Sequence, residues 1–415
     1  MAARKTSDVD GEQGAVLIQV ALAILALLAL SAFVWDFGVM WSSRRQVQNA
    51  ADAGAHAGAV ALAFDNGTDA QVQEKARIVA LQNLVWNGAP HVQLTDVHIE
   101  PCPPTPGLGP DTCVRVEAFR NQQRNNPLPV FFASLVNVAN QGVKATATAR
   151  GVAANAARCL RPWAVADKWL ESTGPWTQQS LYQPPADVYT PPTPGNAGTG
   201  FSNQDANGNP IDRGMQVVLK LAHSGPPETP GTLSSGWSMA VDLPNDANPD
   251  YDNNISGCTS ATVSIAQPGE QCVTADPTRG CLDVYTGGHT GAVANPNGAL
   301  ADLLDSDPTA SWNNGRIINS NSLISRRIVP VAVFDPAMYL SRGYNGTNGI
   351  VKVVNIVGFF IEGRCKDADF YLEPYVVCSN NGADIVGRLV EYSGVWANSG
   401  GPVVNSFGTI ITLVR

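Results

Sequence analysis

Asp205, Asn207, Asn209 and Asp212 place side-chain oxygens at near-alternate positions around Gly208. Calcium takes six to eight oxygen ligands from loops of this kind, so these four residues form a candidate calcium site. The downstream bidentate glutamate of an EF-hand is missing, which excludes the helical version. Asp242, Asp246, Asn248, Asp250, Asp252 and Asn253 form a second oxygen-rich run. Turns use the same Asp, Asn and Gly mixtures for backbone reasons alone. Beyond calcium, no cofactor is expected.

Other chemistry is sparse. The nucleophile elbow GxSxG, the zinc-protease HExxH and the phosphate loop GxxxxGK[ST] do not occur. The histidines (His56, His91, His98, His223 and His289) are scattered. Gly287 to Gly291 has backbone N–H groups that could cradle an anion, but no helix follows, so a solvated turn is expected. Asp167 with Lys168, and Glu362 with Arg364, read as surface charge. Trp163, Trp169 and Trp176 could line a groove, although large rings are more often packing. The chain does not read as an enzyme.

The cysteines are more informative. Cys102, Cys113, Cys159, Cys258, Cys272, Cys281, Cys365 and Cys378 form an even set in a turn-rich chain. That pattern suits disulfides in an oxidising compartment. No CxxC pair or zinc spacing competes with it. Connectivity is open, with Cys102–Cys113 and Cys365–Cys378 favoured as short loops and Cys272–Cys281 next.

These groups must be carried by some framework. At about 150 residues per domain, 415 residues suggest two or three units. Charged residues are only 15% of the chain, with 39 Gly and 29 Pro, which implies many turns and little long surface helix. A net charge of -9 argues against a nucleic-acid partner, because phosphate binding needs concentrated Lys and Arg.

Ala15 to Met40 is apolar except for Gln19, Ser31 and Asp36. About 20 apolar residues cross a bilayer core of about 30 Å, and Ala15 to Trp35 meets that requirement. Trp35 and Trp41 suit an interfacial aromatic belt. Asp36 is expected at the headgroup boundary, where its cost is small. The run is too long for a signal-peptide core and continues into further helix, so an uncleaved anchor is expected. Arg4 and Lys5 before the span balance Arg44 and Arg45 after it. The cysteines break that tie and put the body outside the cytoplasm.

The helical pattern continues from Trp41 to Ala63, ending at Asn66-Gly67. Val47, Ala50, Ala51, Gly54, Ala57, Gly58 and Ala61 recur at three- and four-residue spacing and form a smooth helix-packing face. Small residues let another backbone come close. That face either packs on the chain's own sheet or meets a partner pilin-like helix.

Gly14-Ala15-Val16-Leu17, the span, Asp36-Phe37-Gly38, and the run Arg44-Arg45-Gln46-Val47-Gln48-Asn49-Ala50-Ala51-Asp52-Ala53 together resemble the N-terminal region of TadG-like Flp (tight-adherence) pilus-assembly proteins. The resemblance covers Gly14 to Ala63. It implies a single-pass accessory of the bacterial inner membrane, with a cytoplasmic N-terminus, a periplasmic or cell-surface body, and pilus-assembly or pilin-like partners. Related pseudopilins carry Glu five residues after the cleavage-site Gly, and Gln19 stands there, so processing by a prepilin-type peptidase is not expected. Some relatives carry a von Willebrand-type adhesion domain with a DxSxS metal loop. This chain has no DxSxS, so that mechanism does not carry over.

The remaining pattern gives a helix over Asp69 to Asn87, strands over Val92–Glu100, Cys113–Arg120 and Lys144–Arg150, and a short helix over Pro129–Val138. Beyond Arg158, strand-like runs (Gln216–Ala222, Trp237–Leu243, Thr262–Ala266, Ile328–Phe334, Ile350–Ile361, Val376–Cys378, Thr409–Val414) alternate with Gly, Asn and Pro breaks. Leu300–Leu304 and Pro336–Leu340 read as helical turns. The expected class is α+β: a cytoplasmic N-terminus (1–14), a transmembrane helix (15–40), a pilin-like TadG/TadE-type α+β module (41–157) and a mostly antiparallel, disulfide-containing β domain (158–415). The function expected is a membrane-anchored structural accessory of Flp/Tad pilus assembly or surface adhesion, working by protein–protein docking. A membrane-tethered extracytoplasmic hydrolase, or a glycan- or calcium-binding adhesin unrelated to pili, are the alternatives.

Overall fold

The computed structural model describes residues 10–64, 68–103, 112–193, 196–203, 211–219, 233–234, 238–243, 251–258, 261–284, 298–322, 324–342, 349–365, 370–378, 384–401 and 406–414. The chain divides into two compact units, Met1–Ala59 with Asp69–Arg150 and Leu413–Arg415, and Val60–Thr68 with Gly151–Thr412. The division falls at Gly151, inside a strand, because the strand begun at Val143 runs on to Ala153.

The first unit is built on one helix, α1 (Asp10–Phe64, 55 residues). At 1.5 Å per residue it is about 80 Å long. It contains no proline, so no backbone bond is lost along it. Its first part is long and apolar enough to cross a membrane, and Leu17, Leu22, Leu25, Leu28 and Leu30 are all exposed. From Asp36 onward one side turns inward, through Val39, Ser43, Val47, Ala50 and Ala51. The helix changes there from apolar and exposed all round to carrying a single buried stripe.

Against that stripe lie α2 (Asp69–Gln82) and an antiparallel meander of β1 (Val97–Pro101), β2 (Thr112–Arg120) and β3 (Val143–Ala153). Helix α2 stops at Gln82, short of Asn87, because Val85 and Gly88 close a two-residue turn. Val85 N–H donates to the Gly88 carbonyl at 2.7 Å, and Trp86 and Asn87 take φ of 47° and 57°, the backbone of a tight hairpin turn. The strand expected from Val92 begins only at Val97, after a 3-10 turn over Leu94–Asp96 that Asp96 holds by accepting from Gln93 N–H at 2.8 Å. The helix expected over Pro129–Val138 contracts to a 3-10 turn, Ala133–Val136.

The second unit contains β4 (Ala156–Arg158), β5 (Trp163–Ala166), β6 (Gln216–Leu219), β7 (Ser238–Ala240), α3 (Tyr251–Ser256), β8 (Thr262–Ser264) and β9 (Cys281–Asp283). It continues with α4 (Ala299–Asp305), β10 (Ser311–Asn313), β11 (Arg316–Ile318), β12 (Ile328–Phe334), α5 (Pro336–Arg342), β13 (Ile350–Arg364), β14 (Ile385–Val390), β15 (Tyr392–Ser393) and β16 (Gly408–Val414). Its main sheet runs β6-β14-β13-β12-β5-β7, with β9 added to β13. Strands β5 and β12 are parallel and the other pairs antiparallel. The central strands β12 and β13 are buried along nearly their whole length, which is why they read as continuous Val/Ile/Phe runs. Phe334, Phe359, Trp163 and Leu282 sit in the core. Strand β16 pairs in parallel with β15, with Tyr392 opposite Gly408. Val376–Cys378 forms no strand. The architecture is α+β, with one long apolar N-terminal helix and largely antiparallel sheets.

Candidate functional site

Around its two glycines, the small-residue face of α1 is covered by α2 and β2. Val47, Ala50, Ala51, Gly54, Ala57, Gly58 and Ala61 are all buried. A methyl on Gly54 would lie 2.9 Å from Ala80 Cβ and 3.0 Å from the Ala76 carbonyl oxygen. On Gly58 it would lie 2.6 Å from Val114 Cγ1 and 3.1 Å from Ala76 Cβ. The glycines therefore let α2 and β2 approach the α1 backbone, and between Gly54 and Gly58 no room is left for a second chain. Gln48 and Gln46 secure the edges: Gln48 Nε2 donates to the Thr146 carbonyl at 3.3 Å, and Gln46 Oε1 accepts from Trp86 N–H at 2.7 Å.

Asp36 is not a lone charge at the headgroups. It is only 6% exposed, and its carboxylate accepts the backbone N–H groups of Phe131 and Phe132, both at 2.9 Å, and that of Ala133. It thus caps the 3-10 turn from a neighbouring element, satisfying N–H groups that a turn start leaves open. Nothing in the sequence near 131 signals the partner, since the two are separated by 95 residues.

All eight cysteines are paired: Cys102–Cys113, Cys159–Cys258, Cys272–Cys281 and Cys365–Cys378. The three short loops are those that spacing favoured, and Cys159–Cys258 spans 99 positions. Glu270, Cys272 and Cys281 lie close enough to suggest a metal group, but both sulfurs are spent in the disulfide.

Of the calcium candidates, Asp205, Asn207 and Asn209 lie outside the described residues, as do Asp246, Asn248, Asp250 and the glycine run from Gly287 to Gly291. Asp212 is buried, and both of its oxygens accept from Lys168 Nζ at 2.7 Å. Ser202 N–H adds a third bond at 2.9 Å. The carboxylate is committed to an ammonium.

Two acids from pairs expected on the surface, Asp167 and Glu362, are interior. Asp167, 1% exposed, follows β5 where Asp335 follows the parallel β12, so the register sets the two carboxylates side by side. Asp167 accepts from Phe201 N–H at 2.8 Å, from Lys168 N–H at 2.9 Å and from the Tyr189 hydroxyl at 3.0 Å. Burial pushes its pKa up to about 7 against those hydrogen bonds, and the neighbouring Asp335 charge adds to the rise. Asp335 is also raised, by burial. Glu362, in turn, pairs with Arg388 at 2.9 Å, and its side chain is nearly covered. Single-sequence reading missed both because Asp-Lys and Glu-x-Arg carry no sign of where the strand ends.

Arg388 also reaches Glu373 at 3.2 Å and lies over the Trp312 ring. These groups, with Phe370 and Tyr371, line an open cavity of about 650 Å³. Both carboxylates hold the guanidinium, so they form an ion-pair cluster and not an acid and a base placed across a reacting bond. Trp163 and Trp169 are core residues, and Trp176 packs edge-on against Phe201 at 5.5 Å.

The part with a recognisable relationship is α1. Residues 14–61 match the Tad family model, described as putative Flp pilus-assembly TadE/G-like. The N-terminal region is TadE/G-like. The match begins where the apolar span begins and ends at Ala61, the last residue of the buried small-residue face. It therefore takes in most of α1 and none of the strands. No curated protein and no solved structure matches the chain.

Proposed function

We propose that this chain is a single-span structural accessory of Flp/Tad pilus assembly, with its N-terminus cytoplasmic and its body in the periplasm or at the cell surface, acting by docking and without turnover. The observation that carries the proposal is the coincidence of the TadE/G-like match, residues 14–61, with a helix able to cross a membrane. Four disulfide pairs support an oxidising compartment for everything after the span. Because the Gly/Ala face is covered by α2 and β2, docking uses other surfaces: the exposed sides of the span, or the second unit.

Photo-crosslinking from Leu25 in the span and from exposed Trp396 in the second unit tests this in cells. Capture of Tad secretion or pilin proteins is the expected result. Unaltered piliation in a strain lacking the gene, together with no such capture, would refute it. The alternative of a glycan-binding adhesin rests on the cavity at Trp312, Phe370 and Tyr371, since aromatic rings beside charged groups suit sugar binding. It predicts normal pili with lost attachment, and Trp312→Ala would reproduce that phenotype.

A further inference from the structure

The membrane end of the first unit carries more apolar surface than the span accounts for. Phe131 and Phe132 are 47% and 44% exposed, in a turn tied to the helix through Asp36. Phe131 stands edge-on to Trp35 at 6.5 Å and to Trp86 at 6.4 Å. Trp35, Phe37 and Trp41 are themselves about half exposed. The depth of this cluster is fixed by the helix. About 20 residues at 1.5 Å each span the hydrocarbon core, so a span entered at Ala15 leaves it near Trp35. The three N–H groups bonded to Asp36 are therefore held at the boundary where the core ends.

We propose that the turn Phe131–Ala133 is a second membrane contact, which seats its two phenylalanine rings among the lipid headgroups and upper acyl chains beside the span. This rests on reading Ala15–Trp35 as the membrane span. Three features favour lipid over a protein partner. First, the patch is continuous with the span's own lipid-facing surface. Second, the N–H groups of the turn are already bonded: Asp36 takes those of Phe131, Phe132 and Ala133, and Asn137 and Val138 N–H donate back to Ser134 and Ala133. Irregular backbone lacking such partners is excluded from the apolar layer. Third, Arg44 and Arg45 are exposed just beyond, with Arg45 over the Trp41 ring, where long basic side chains lay their stems on apolar surface and carry their charge out to the headgroups. Asp36 then has a defined role. It pins the turn at the interface and fixes the angle at which the folded unit leaves the membrane.

The full-length chain reconstituted in vesicles of phosphatidylethanolamine and phosphatidylglycerol tests the proposal by spin-label accessibility to oxygen and to a water-soluble nickel chelate. Labels at Phe132→Cys, at Leu28→Cys in the span and at Ala70→Cys on α2 are compared. The expected order is Leu28 deepest, residue 132 protected from nickel and open to oxygen, and residue 70 aqueous. Adding Asp36→Ala should move the residue-132 label towards the aqueous value. A residue-132 label as exposed to nickel as residue 70, with residue 28 protected, would overturn the contact and leave the span intact. A nickel-accessible residue 28 would overturn the span itself. A residue-132 label unmoved by Asp36→Ala would remove Asp36 from the proposal.

Discussion

Gly58→Val is the most direct probe of the stalk. The first added carbon would already stand 2.6 Å from Val114 Cγ1 and 3.1 Å from Ala76 Cβ, so β2 or α2 must move before the other two carbons are placed. Overpacking of this kind costs about 1–3 kcal/mol. Helix propensity returns only a few tenths of a kcal/mol, because valine is a modest improvement on glycine. The net loss of about 1–3 kcal/mol corresponds to about 5- to 150-fold in an opening equilibrium. Hydrogen exchange on the full-length protein in detergent should show that loss of protection in peptides covering Asp69–Gln82 and Thr112–Arg120. Gly38→Ala is the internal control. No atom lies within 4 Å of its added methyl, and the same peptides should keep their protection. If Gly58→Val left α2 and β2 fully protected while abolishing capture of a pilus protein, the face would be an interface and the packing account would be wrong.

Three further outcomes follow from the second unit. Asp167, with a folded pKa of about 7 against 3.8 when unfolded, binds a proton in the folded state that the unfolded chain has released. Stability therefore falls between about pH 4 and 7, by up to about 4 kcal/mol, and is flat above; thermal melts of Asp167→Asn should lose most of that slope, and an unchanged slope would contradict it. Replacing Cys159 and Cys258 by serine should destabilise the unit by about 2 kcal/mol more than replacing Cys272 and Cys281, since the loops closed span 99 and 9 positions and loop entropy grows with their logarithm; equal losses in denaturant titrations would refute the entropic reasoning. With Asp212 held by Lys168, a chelator should leave the melting midpoint unchanged, and a clear drop would show a bound cation and contradict this reading.

Much of the first unit was legible because its signals are local. An unbroken apolar run is set by what lipid tolerates, and a stripe of Ala and Gly at three- and four-residue spacing is set by helical geometry. Those two patterns yield a helix long and apolar enough to cross a membrane, its continuation and a face that must be buried. Even the short disulfides are local, since loops of 9 to 13 positions hold their cysteines near each other whatever the fold. Strands β12 and β13 announced themselves because both of their faces are apolar. Strand β14, Ile385–Val390, did not, because Gly387 and Arg388 interrupt its alternation; that arginine serves Glu362 and Glu373, which arrive from elsewhere in the chain.

What the tertiary structure alone decided was partnership across long separations. Sequence determined that Gly54 and Gly58 needed a close neighbour, but not that Ala76, Ala80, Val114 and Val116 would fill that role and leave none of it to another molecule. It placed an acid at Asp36 without its three amides, and an Asp-Lys pair at 167 without the parallel strand that brings Asp335 alongside. Periodicity records which way a side chain must face, because that follows from the geometry of one element. Which group it then meets depends on how several elements pack together, and no window of neighbouring residues contains that information.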